Sequence, residues 1–110
     1  MPAAIGRLCE MRQAILALAT MDTKGEEIHF VANCVRCSGL EVVLIDLSTS
    51  DNGEDTDVTA RSVAAAHPSG AEAVFGCQDR GQAVTAMAEA LRHWIRREVD
   101  FGSVTGVIAV

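Results

Sequence analysis

The apolar residues of this chain gather in three short, mostly apolar runs, residues 13–19, 41–47 and 104–110, and between them apolar and polar positions alternate with helical period. Near-continuous apolar runs of this length are strands covered on both faces, and such strands belong to parallel sheets packed between helices. Between the first two runs, Ile28, Val31, Ala32 and Val35 recur at three- and four-residue spacing while Glu26, Glu27 and Arg36 fall elsewhere, so one amphipathic helix joins them. Thr23 followed by Glu26 has the spacing of a capping box at its start, and Gly39 supplies a left-handed stop. Ahead of the third run the pattern predicts a helix from about residue 80 to residue 99. Asp79 caps it, Gln82 reaches back from its third position, and Val84, Met87, Ala88, Leu91, Ile95 and Val99 form its buried stripe.

A parallel pair joined through a helix crosses over right-handed, which puts the loops that follow both strands along one edge of the sheet. The pattern therefore predicts an α/β fold: a three-layer, Rossmann-like or flavodoxin-like open parallel sheet of three to four strands. Residues 51–57 hold four acids with Asn52 and Gly53 and read as a solvated loop. Residues 58–66 predict a short helix, ended by His67-Pro68-Ser69-Gly70, and residues 71–75 one more short extended or helical piece. Residues 1–12 lack periodicity and read as a leader. The third run ends the chain with no covering helix after it, the expectation for a domain cut short.

Charge and cysteine usage narrow the partners. Fifteen acidic against nine basic side chains give a formal charge of −6, which opposes the phosphate attraction on which nucleic-acid binding depends. The four cysteines, Cys9, Cys34, Cys37 and Cys77, are scattered through apolar surroundings, unlike the framework of a small secreted scaffold, and fit a reducing, cytoplasmic setting. The apolar run 14–19 after Arg7 and Arg12 imitates a signal peptide, but it is short and leads straight into a helix start, so it is read as a strand, with neither export nor a membrane span expected.

In open α/β sheets, ligands bind beyond the carboxyl ends of the strands. Three loops qualify. In residues 20–25, a helix start offers amides to an anion, Thr20 and Thr23 offer hydroxyls, and Lys24 adds positive charge. In residues 46–50, Asp46 stands where a ribose hydroxyl is contacted in related architectures, and Ser48, Thr49 and Ser50 offer hydroxyls. In residues 79–82, Arg80 at a helix start is suited to clamp phosphate. Each residue also has a plainer role: Thr23 and Asp79 as caps, Lys24 and Arg80 as solvated charges, and Asp46 as a loop residue bound to a nearby amide. No glycine-rich phosphate loop of Walker or dinucleotide type is present, so spacing by itself does not establish nucleotide binding.

The segments LALATMDTKGEE, VVLIDLSTS, DRGQAV and GVIAV, in this order and at these separations, resemble the amino-terminal ATP-binding domain of one family. Its best-known member is the tomato inhibitor of tobamovirus RNA replication, and it includes uncharacterised bacterial and fungal relatives. The resemblance spans residues 13–110. It implies that the T-x-D-T-K turn, the S-T-S loop and the arginine of D-R-G-Q lie around bound ATP, alone or with magnesium. The matching positions are Thr20, Asp22, Thr23 and Lys24, then Ser48, Thr49 and Ser50, then Arg80. It also implies that the family's glycine-rich G-G-S-G-G-T loop would follow Val110, so residues 13–110 form the amino-terminal part of a nucleotide-binding domain and ATP affinity is weakened by the loop's absence.

Other chemistry has weaker support. Cys34-Val35-Arg36-Cys37 has the spacing of zinc and redox sites but no second pair, and its thiols are read as buried apolar groups. His29, His67 and His93 lack an adjacent nucleophile pattern. Asp51, Glu54, Asp55 and Asp57 lack the ligand order of a calcium loop. Trp94 is expected to cover the sheet or a partner surface. The reading that follows is a nucleotide-binding module, regulatory or linked to assembly, whose uncovered apolar sheet favours a homo-oligomer. Two alternatives stand beside it. One is a phosphoryl-transfer enzyme in which Asp22 or Asp46 holds magnesium and Lys24 or Arg80 neutralises charge; the other is a flavodoxin-like interaction domain without ligand.

Overall fold

The structure, a computed structural model, describes residues 14–50, 56–98 and 104–110. In chain order its elements are β1 (Ala14–Ala19), α1 (Met21–Cys37), β2 (Glu41–Asp46), α2 (Ala60–Ala64), α3 (Glu72–Phe75), α4 (Arg80–Glu98) and β3 (Val104–Ala109). The three strands form one parallel sheet in the order β2-β1-β3, so the chain leaves β1 for one neighbour and returns past it to the other. That reversal puts the switch point between β1 and β3.

Every residue of β1 is buried, as a strand sandwiched between two helical layers requires. Its alternate side chains supply both layers. Ile15, Ala17 and Ala19 join Val42 and Leu44 against Ile28 and Ala32 of α1. Leu16 and Leu18 join Val43 and Ile45 against Val63, Val74, Met87, Ala90 and Trp94 on the opposite face. This is the expected three-layer α/β arrangement. Trp94 is buried against the sheet side of this second layer, one of the two roles expected of it. The outer edge of β2 is finished by a single parallel bridge from Ile45 to Val58, with the Asp57 carboxylate accepting the Leu44 amide at 2.9 Å.

Several local details differ from the sequence reading. The stretch expected as a helix from residue 58 begins as that bridge; the helix starts only at Ala60, where the Thr59 hydroxyl accepts the Ser62 amide at 3.1 Å. On α4 the buried residues are Ala83, Met87, Ala90 and Trp94, while Val84 and Ala88 are exposed. The buried stripe is rotated because the wide Trp94 and the alanines, rather than the branched residues, face the core and the short helices α2 and α3. Asp79 does cap α4, its Oδ1 accepting the Gly81 amide at 3.2 Å, but the Gln82 amide oxygen meets the Cys77 thiol instead of reaching back. Cys34 and Cys37 are exposed, not buried, because helical period turns them away from the stripe led by Ile28 and Ala32. Gly39 has the expected left-handed backbone, with φ of 88°. The expected leader, the acids at 51–55 and Val99 lie outside the described residues.

Among the described residues, no helix is long and apolar enough to cross a membrane, and no group of histidine, cysteine and carboxylate side chains is arranged to hold a metal ion.

Candidate functional site

The loops after β1 and β2 meet at the carboxyl edge of the sheet, and a buried polar network ties them together. Asp46 is the last residue of β2, and its side chain is almost wholly enclosed. Its Oδ1 accepts the Met21 amide at 3.2 Å, the Ser48 amide at 2.9 Å and the Ser48 hydroxyl at 2.6 Å. Ser48 is fully buried, and its Oγ accepts the Asp22 amide at 3.2 Å. The Leu47 amide continues the link by donating to the Ala19 carbonyl at 2.9 Å.

This network changes the anion chemistry expected of the α1 start. A helix presents unsatisfied amides and a partial positive charge at its N-terminus, and a carboxylate placed there is stabilised by both. Met21 and Asp22 donate to Asp46 and Ser48, and the Thr23 and Lys24 amides both donate to the Thr20 carbonyl, at 3.0 and 2.8 Å. The first-turn amides are therefore not open to an incoming anion: β2 has already supplied one. The expected capping box is replaced as well. The helix begins at Met21, two residues before Thr23, and the Thr23 hydroxyl bonds that of Thr20 at 2.7 Å instead of the Glu26 amide. Lys24 then departs from helical geometry, with φ −122° and ψ 20°, and so kinks α1 just past its first turn.

The remaining residues divide into those that meet and those that stand apart. Thr20 and Thr49, from the two loops, share a cavity of about 180 Å³ with Leu47 and with Val84, Met87, Ala88 and Leu91 of α4. The walls are apolar apart from the two threonines. Asp22, Thr23, Lys24 and Ser50 are exposed and do not line this cavity. Arg80, also exposed, precedes Val84 by one helical turn on the same stripe of α4, which runs on through Met87, Ala88 and Leu91. A more open hollow of about 330 Å³ lies on another face of α4, beside His67, whose Nδ1 accepts the Ser69 amide while Nε2 lies 3.4 Å from Glu89.

The plainer role expected of Asp46, a loop residue bound to a nearby amide, is what the Ser48 amide shows. Two features escaped the sequence reading, the reach of Asp46 and Ser48 across to the Met21 and Asp22 amides and the cavity beside α4. The cavity has its signal in the stripe of Val84, Met87, Ala88 and Leu91, read there as core.

Residues 13–110 match the N-terminal domain of the uncharacterised protein family UPF0261. The chain belongs to that family. A UPF0261 protein of Rhizobium meliloti is 41% identical over 93 residues, which cover 84% of this chain and 23% of that protein. A UPF0261 protein of Mesorhizobium japonicum is 37% identical over the same proportions, and one of Clostridium tetani 28% over 91% of this chain and 25% of its own length. The chain thus spans about a quarter of the length of these UPF0261 relatives. No solved structure matches it.

Proposed function

We propose that this UPF0261 domain is a nucleotide-binding module whose preferred ligand is ATP, serving regulation or assembly in the cytoplasm rather than a catalytic step of its own. One observation carries the reading: the two loops whose sequences resemble those around ATP in the tomato inhibitor's family are fastened side by side through Asp46 and Ser48, and Thr20 and Thr49 from them line one cavity. Lys24 early in α1, Ser50 after β2 and Arg80 at the start of α4 are exposed, and Thr49 is half-buried in the cavity wall; their cations and hydroxyls supply the chemistry that a polyphosphate needs.

Because the α1 amides are already engaged, the phosphates are held by side chains. Ser48 and Asp46 act by positioning the two loops. Thr20 and Thr23, joined through their hydroxyls, fix the turn that carries Lys24. Magnesium, where present, would arrive with the nucleotide and meet the exposed Asp22. Calorimetric titration with ATP tests the proposal: Lys24→Ala and Arg80→Ala should each weaken binding by about tenfold, as loss of a charge-assisted phosphate contact does. ATP affinity unchanged from the parent in both variants, or no ATP binding by the parent chain, contradicts it.

A further inference from the structure

α1 starts at the carboxyl edge of the sheet and runs back to where β2 begins, so its last turn lies at the opposite edge from the candidate site. That turn carries Cys34 and Cys37, and both thiols are exposed. The ground for reading their C-x-x-C spacing as apolar packing is therefore gone. A structural zinc site needs four ligands, and among the described residues no third histidine, cysteine or carboxylate joins the pair. Redox chemistry needs only two thiols. Residues three apart on a helix hold their Cβ atoms about 5–6 Å apart, whereas a disulfide brings them to about 3.5–4.5 Å. The end of α1 is built to close that gap: the Ser38 and Gly39 amides donate to the Val35 and Arg36 carbonyls at 3.0 and 2.9 Å, three residues back rather than four. In a turn tightened in this way, side chains three residues apart eclipse one another. Gly39, with φ of 88° and nothing within 4 Å of the place a Cβ would take, leaves room for Cys37 to shift.

We propose that Cys34 and Cys37 are a reversible redox couple, which closes to an intrahelical disulfide by exchange with a small disulfide of the glutathione class. One cysteine thiolate attacks that disulfide, forming a mixed disulfide and releasing the first small thiol. The other thiolate then attacks the protein sulfur of the mixed disulfide, which forms the Cys34–Cys37 bond and releases the second small thiol. The two protons given up by the cysteines end on the released thiols, and two electrons pass from the protein to the oxidant. A bond across so short a loop is exposed and strained, and disulfides of that kind are the readily reduced ones. The couple therefore opens and closes with the surrounding thiol balance. It acts on the turn that leads into β2 and is independent of the nucleotide reading.

The test incubates the parent chain, Cys34→Ser and Cys37→Ser with excess glutathione disulfide and blocks the remaining free thiols with iodoacetamide. Cleavage after glutamate then releases both cysteines in one peptide, residues 28–41, for mass spectrometry. In the parent this peptide should lack two hydrogens and carry no glutathione, and excess reduced glutathione should restore both thiols. Each serine variant should instead hold one glutathione on its remaining cysteine, since no second thiol is present to displace it. Both positions are exposed, and circular dichroism checks that the variants fold as the parent does. Glutathione held on both cysteines of the parent, disulfides that join two chains, or thiols that stay free overturn the proposal. So does a bond that resists excess reduced glutathione, or a serine variant whose remaining thiol takes up none.

Discussion

Asp46 Oδ1 lies 3.2 Å from the Met21 amide, so the last residue of β2 closes the first turn of the helix that follows β1. The contact joins two segments 25 residues apart and settles where the negative charge at this helix start comes from. It also makes Asp46 costly to replace. Removing its carboxylate leaves the Met21 amide and both Ser48 donors without their acceptor in a site closed to water.

Asp46→Ala should therefore lower the free energy of unfolding by about 1–3 kcal/mol in urea denaturation, the usual cost of orphaning a buried polar group. Ser48→Ala should show a smaller loss, since the Ser48 amide and the Met21 amide keep Asp46 as their acceptor. Stability unchanged in both variants would mean that the loops are held by other contacts.

Trp94 is the chain's single tryptophan and is almost completely buried beside Met87 and Ala90 in the layer that covers Leu16 and Val43. Its fluorescence should be blue-shifted in the native protein and should move to longer wavelength in one transition with the loss of helical circular dichroism. Trp94→Ala should cost about 3–5 kcal/mol, as large-to-small changes in cores do. A solvent-like emission maximum in the native state would contradict this packing.

Gly39 ends α1 with a left-handed backbone and open space around its Cα, so Gly39→Ala is strained by conformation alone. A loss of about 1 kcal/mol in thermal or urea unfolding is expected. No loss would mean that the turn relaxes to another shape.

Cys34 and Cys37 face solvent from the outer side of α1. Replacing both with serine should leave stability within about 0.5 kcal/mol of the parent, as for most surface changes, and should remove two thiols that react with Ellman's reagent without denaturant. A large loss of stability would show that they pack as the sequence reading supposed.

Phe30 is 70% exposed, Val107 57% and Val110 46%, which leaves apolar surface on α1 and along β3. We propose that copies of the chain cover the β3 surface by association. Sedimentation equilibrium should show mass rising with concentration, and Val107→Lys should shift the population to monomer. A concentration-independent monomer, or no effect of the substitution, counts against it.

The strands and long helices were legible because their signals are periodic and add over many residues: Ile28, Val31, Ala32 and Val35 point one way whatever their partners are. The exact face of α4 was not, because Ala83 and Ala90 bury through close approach to α2 and α3, and alanine carries little hydrophobic weight in a stripe. At the site, strand order put the loops of Thr20 and Thr49 at one edge, whereas the loop of Arg80, expected as a strand end, follows the short helix α3. It did not reveal that Asp46 occupies the helix start, since a carboxylate after a strand looks the same whether it meets ribose, metal or its own backbone. That distinction depends on the register that sets Ala19 opposite Asp46.

The central claim is that the loops after β1 and β2, with the start of α4, form one ligand-binding rim. The most direct measurement is a nitrogen-15 chemical-shift titration of the whole chain with ATP. The expected result is a saturable set of changes converging on Lys24, Thr49, Ser50 and Arg80, with the Ala88 and Leu91 amides moving in step. Changes scattered over the surface, or confined to the opposite edge of the sheet around Glu41, would contradict it.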